Sequence, residues 1–139
     1  MIFKLIKFSW IKIVYTWTTS KELSLKKKIK ISFVPIEKLN NLTRKNHQGI
    51  VATISPVKTF NLRDLEDAID NKQSNFLILD NITDTKNFGA IVRSSECLGI
   101  NGIIISKTGC SPINGDTIKS SSGAIFNLPI YKLDHIKDA

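Results

Sequence analysis

"FLILDNITDTKNFGAIVRSSECLGINGIIIS", residues 76–106, sets two short, unbroken apolar runs on either side of a segment with a different period. Within that segment Ile91, Ser95 and Leu98 recur at helical spacing, and Gly99 supplies a stop. Strands that do not alternate suit a sheet covered on both faces. A second helical segment, "INGDTIKSSSGAI" (113–125), leads to a third such run, "LPIY" (128–131). The order β-α-β-α-β predicts a parallel sheet and places residues 74–139 in the α/β class.

Upstream, "VKTFNLRDLEDAIDNKQ" (57–73) spaces Leu62, Leu65 and Ile69 at helical intervals among acids, and reads as a linker followed by a surface helix. "HQGIVATIS" (47–55) is β-branched, ends at Pro56 and reads as a strand. In "KKKIKISFVPIEKLNNL" (26–42) the alternation Ile29, Ile31, Phe33 reads as a strand that Pro35 ends, and "PIEKLNNL" starts a short helix. The divisions expected are therefore 1–56, 57–73 and 74–139, with no internal repeat.

The chain has 139 residues, enough for one ordinary domain or two small ones with a sizeable core. Its net charge of +8 is unevenly placed: residues 1–50 hold 11 Lys or Arg against two acids, residues 51–139 nine against ten. An acidic partner such as RNA would be met by the N-terminal part, through Lys26, Lys27, Lys28 and Lys30 with Arg44, Lys45 and His47. The bland alternatives are a solvated lysine surface and, for His47, a structural hydrogen bond. Cys97 and Cys110 lie 13 apart with no CxxC, so neither a metal site nor a redox pair is indicated, and both are expected reduced and half-buried in a cytoplasmic protein. The apolar opening "MIFKLIKFSWIKIVYTW" is interrupted by Lys4, Lys7 and Lys12, which speaks against a membrane span and for packing on the protein.

In open parallel sheets ligands gather beyond the carboxyl ends of strands. Asp80 closes the first strand, "NITDTKNFG" is the loop that follows, and Asn87 falls at or just before the helix start, able to cap the helix or to face a substrate. Gly89 allows close approach of a backbone or a ligand. Arg93 follows four residues later on the same face, a planar fork in a chain with 17 Lys and three Arg, suited to phosphate or ribose oxygens. The structural alternatives are Asn87 as a plain cap, Gly89 as helix packing and Arg93 paired with Glu96.

"LDNITDTKNFGAIVRSSECLGINGIII" resembles the first signature of the SpoU family, within the SPOUT superfamily of S-adenosylmethionine-dependent RNA ribose 2′-O-methyltransferases. "KSSSGAIFNLPIY" is similar to a later family segment, and "NHQGIVATISP" to the join between its N-terminal and catalytic domains. The resemblance spans about residues 26–139 and is greatest to the 23S ribosomal RNA guanosine 2′-O-methyltransferases. It implies a small α/β, ribosomal-protein-like RNA-binding domain before a parallel-sheet SPOUT-like domain, S-adenosyl-L-methionine as methyl donor, ribosomal RNA as substrate, a homodimer, and no metal. It also implies catalytic roles for Asn87 and Arg93. A guanidinium is too basic to serve as general base, so Arg93 is expected to hold phosphate or a developing alkoxide.

Thr85 stands where the family commonly has proline, a modest loosening of the loop. The family's catalytic domain continues well past "HIKDA", so the knot is expected to be incomplete, no cofactor-binding residue is expected in this chain, and methyl transfer by it alone is not expected. The first 25 residues do not align with the family's first strand and helix. The competing readings are a non-catalytic RNA-binding module, an inactive remnant of such an enzyme, and a dinucleotide-binding protein; the last lacks G-x-G-x-x-G.

Overall fold

The computed structural model describes residues 11–15, 30–70 and 74–139. The chain divides into two compact units, Met1–Pro56 and Val57–Ala139.

In the first unit, β1 (Ile11–Tyr15), β2 (Lys30–Phe33) and β3 (Ile50–Ile54) form a sheet in the order β2-β1-β3, and α1 (Ile36–Leu42) lies between β2 and β3 in sequence. The backbone of β1 runs parallel to β2 and antiparallel to β3, so Tyr15 registers with both Phe33 and Ile50. Part of the opening stretch, Ile11–Tyr15, is thus the central strand of this sheet. Ile-Lys-Ile-Val-Tyr has the alternation and β-branching of a strand, masked in the sequence by the apolar residues around it. Pro35 ends β2 and is the N-cap of α1, where its missing N–H costs nothing. Leu39, fully buried, anchors the helix.

In the second unit, β4 (Phe76–Leu79), β5 (Gly102–Ser106) and β6 (Ile130–Leu133) make an all-parallel sheet in that order. Between them run α3 (Thr85–Cys97) and α4 (Gly115–Ser120), and α2 (Leu62–Asp70) precedes β4. Both faces are covered, which is why the strands are apolar without alternation. Ile103, Ile105 and Ile130 pack with Phe88 and Val92 of α3 on one face, while Ile104, Tyr131 and Leu133 pack with Leu65 of α2 on the other. The segment read as a linker is part of this unit. Phe60 donates its N–H to the Ile130 carbonyl at 2.9 Å and accepts from the Lys132 N–H at 2.8 Å, adding a parallel bridge beside β6.

The helical spacing noted for α3 is shifted in detail. Phe88, Gly89, Val92 and Ser95 are its buried residues, whereas Leu98 is the C-cap and 80% exposed. Cys97 is exposed rather than half-buried, Cys110 is half-buried, and both are free thiols. Among the described residues no helix is long and apolar enough to cross a membrane.

Candidate functional site

The turn that leaves β4 is built from backbone choices a strand cannot make. Asp80 is exposed, and Asn81 takes a left-handed conformation, φ 52°, that Asn tolerates better than most residues with a Cβ. The Ser111 N–H donates to the Ile82 carbonyl at 2.7 Å, and Lys107 joins Asp134 at 2.9 Å, so the loops after β4, β5 and β6 include contacts tying neighbouring strand ends together. Both partners of the Lys107 pair are half or more exposed, and such a pair adds little stability.

The cap of α3 is Asp84, not Asn87. The Asp84 carboxylate accepts from the Asn87 N–H at 2.7 Å, and Thr85 is the first helical residue, where the family's proline would sit without cost. Asn87 thus lies in the first turn, exposed, with its side-chain amide released from capping. The sequence signal was present: Asp is as good a cap as Asn and stands three residues earlier.

Gly89 is buried against α4. A methyl there would collide with Ser120 Oγ and stand 2.8 Å from the Ser121 backbone nitrogen. The Ser120 hydroxyl, 3.1 Å from the Thr85 carbonyl oxygen and 2.9 Å from that of Asp116, stitches the start of α3 to α4. Ser120 was not singled out from sequence, since a serine in a run of three carries no pattern. Gly89 therefore serves helix packing, one of the two readings open for it.

Arg93 is exposed one turn further on, and no described residue gives it a hydrogen bond or ion pair. Pairing with Glu96 does not occur: Glu96 Oε1 accepts from Asn127 Nδ2 at 2.7 Å. Arg93 lies six positions beyond Asn87 along the helix, roughly 9 Å of rise and roughly 120° of rotation. Helix side chains lean toward the N-terminus, so the longer Arg93 extends back along the helix toward its first turn. The exposed surface of this helix thus carries one amide and one guanidinium.

The N-terminal basic set is only partly in view. Lys26, Lys27 and Lys28 lie outside the described residues, and Lys30 is described by its backbone alone, in register with Lys12 of β1. Arg44, Lys45 and His47 come together in the connection from α1 to β3, all beside one cleft. His47 is committed to structure. Its Nδ1 accepts from the Gly49 N–H at 3.0 Å, which makes Nε2 the protonated nitrogen, and Nε2 donates to Asn40 Oδ1 at 2.9 Å. Neither ring nitrogen is left for a ligand.

Among the described residues no cluster of three or more His, Cys, Asp or Glu is placed to hold a metal ion. No buried side-chain polar atom among the described residues lacks a partner.

Residues 74–139 match the family model described as the SpoU rRNA methylase family, and residues 18–60 match that for RNA 2′-O ribose methyltransferase substrate binding. The chain is 35% identical over 117 residues to YacO of Bacillus subtilis (strain 168), named for the TrmH family of tRNA/rRNA methyltransferases, covering 83% of this chain and 47% of that one. It is 33% identical over 91 residues to the 23S rRNA (guanosine-2′-O-)-methyltransferase RlmB of Escherichia coli (strain K12), covering 65% and 37%. Its fold is that of the SpoU methyltransferase AviRb from Streptomyces viridochromogenes in complex with AdoMet, with a TM-score of 0.69 at 21% identity over 91% of this chain and 47% of that one. The chain spans about half the length of these proteins or less. Family matches over residues 18–60 and 74–139, with this identity to YacO, make the chain a member of the SpoU rRNA methylase family.

Proposed function

We propose that this protein works in RNA 2′-O-ribose methylation, with ribosomal RNA, and 23S rRNA in particular, as substrate and S-adenosyl-L-methionine as methyl donor. The observation that carries the reading is the unpartnered guanidinium of Arg93 on the helix whose first turn presents the freed amide of Asn87. A ribose hydroxyl that gives up its proton develops negative charge, and a fixed cation beside it lowers the barrier more in a water-poor site than in bulk solvent. Arg93 holds that oxygen or the adjacent phosphate, and Asn87 orients the sugar through its amide. The names of RlmB and of the substrate-binding family match support RNA as the partner. Assembly as a cytoplasmic homodimer belongs to the same proposal.

Methyl transfer from labelled S-adenosylmethionine to ribosomal RNA tests the reading, measured for this chain alone and for the chain joined to the remainder of the YacO methylase domain. Ribose-bound label is expected from the joined protein, with loss of at least a hundredfold in rate on Arg93→Ala. Label on the bases, or ribose methylation that survives that substitution, would refute it. The alternative of a non-catalytic RNA-binding module rests on the Arg44 and Lys45 cluster. It takes the lead if the joined protein binds RNA and transfers nothing.

A further inference from the structure

The connection from α1 to β3 closes over a solvent-open cleft of about 710 Å³ walled by Ile36, Asn40, Arg44, His47, Gln48 and Gly49. That volume falls within the roughly 300–1,000 Å³ typical of small-ligand pockets. Its floor is held in place. The Ile50 N–H donates to the His47 carbonyl at 2.9 Å, with Gln48 at φ 48° and Gly49 at φ 80°, the tight turn in which both central residues are left-handed. The His47 ring braces that turn against Asn40 of α1.

Gly suits the second central position, but Gln at the first is costly, since its Cβ meets the backbone in this conformation. The chain thus displays a long amide at a site where a glycine would fold more easily. The Gln48 side chain is exposed and has no partner among the described residues, and the same holds for the Arg44 guanidinium. Asn40 accepts through Oδ1, which leaves its Nδ2 free to donate, and Ile36, 44% exposed, offers an apolar surface. Cation, apolar plate and amide edges are the complement of phosphate, base face and base edge.

We propose that this cleft binds one unpaired nucleotide of single-stranded RNA, with its phosphate on Arg44, its base against Ile36 and its edge on the amides of Gln48 and Asn40. The inference rests on the RNA-binding reading above and adds to it a single-nucleotide pocket and a base-reading residue. A base edge is free for such contacts only when the strand is unpaired, which favours single-stranded RNA over a duplex. The excess of 11 basic over two acidic residues in positions 1–50 favours a polyanion over a protein segment or an uncharged ligand.

The test is fluorescence anisotropy of the whole chain with a fluorescein-labelled single-stranded 12-mer RNA of mixed sequence and with its duplex, across a salt series. Single strand should bind more tightly than duplex. Arg44→Ala should weaken single-strand binding roughly tenfold and lower the salt slope by about 0.7, the loss of one phosphate contact. Gln48→Gly should also weaken it roughly tenfold while the urea midpoint rises or stays level, a split that a purely structural glutamine would not give. If both variants bind as the parent does, the pocket is refuted while RNA binding stands. Duplex preference refutes the single-nucleotide claim, and a parent chain that binds neither RNA at low salt overturns the pocket and the RNA-binding reading together.

Discussion

A methyl group on Gly89 has nowhere to go. The space its Cβ would take is filled by Ser120 Oγ, and the Ser121 nitrogen behind it is backbone and cannot swing aside. Gly89→Ala should therefore cost about 1–3 kcal/mol in urea unfolding, as overpacking does, and pairing it with Ser120→Gly should recover only part of the loss. Full recovery in the double variant would show that the hydroxyl alone sets the contact. The same stretch shows how residue-level reading succeeds and fails. Asn, Gly and Arg in "NFGAIVR" stand out in the sequence, and in the structure Asn87 and Arg93 are exposed while Gly89 is packed against α4. Which of Asp84 and Asn87 caps the helix was not recognisable, because both residue types cap well and the choice depends on where the loop from β4 delivers the chain.

At the scale of elements, β6 is held by an aromatic group that no linear pattern announced. Tyr131 meets Phe60 at a tilt, with ring centres 5.6 Å apart, and Phe76 edge-on at 5.8 Å, and Gly102 on β5 leaves room for the Tyr131 and Phe76 rings. Burial, and then the nearby Asp64 carboxylate, raise the Tyr131 hydroxyl above the ordinary tyrosine value of 10.0. The unfolded chain therefore ionises this tyrosine first, so the stability it contributes is complete below pH 10 and is lost as pH climbs through the raised value. Urea midpoints taken from pH 9 upward should fall past pH 10, and the fall should be shallower in Tyr131→Phe. An identical pH dependence in that variant would assign the loss to other groups. The strands β4, β5 and β6 were legible as apolar runs, whereas the bridge through Phe60 was not, since one residue pairing outside a strand has no periodicity.

For the molecule as a whole, the division at Pro56 and Val57 matters more than the one expected near residue 74. Leu65 and Phe60 belong to the core and sheet of the second unit. A chain beginning at Val57 should fold with a cooperative urea transition, and one beginning at Ser74 should lose about 2–5 kcal/mol or fail to fold, as when a large buried side chain is removed. Equal midpoints would return residues 57–73 to the status of a linker. What the amino-acid order determined by itself was the class and direction of the second unit, the uneven charge, and the motif that marks the family, because apolar runs, helical spacing and glycine stops are local properties of the chain. What only the tertiary structure decided was the central place of β1, the cap on α3, the commitment of His47 to its turn and the cleft beside it. Each of those depends on which distant segment arrives to supply a hydrogen bond or occupy a space, and a contact between segments far apart in sequence leaves no mark on the spacing of either.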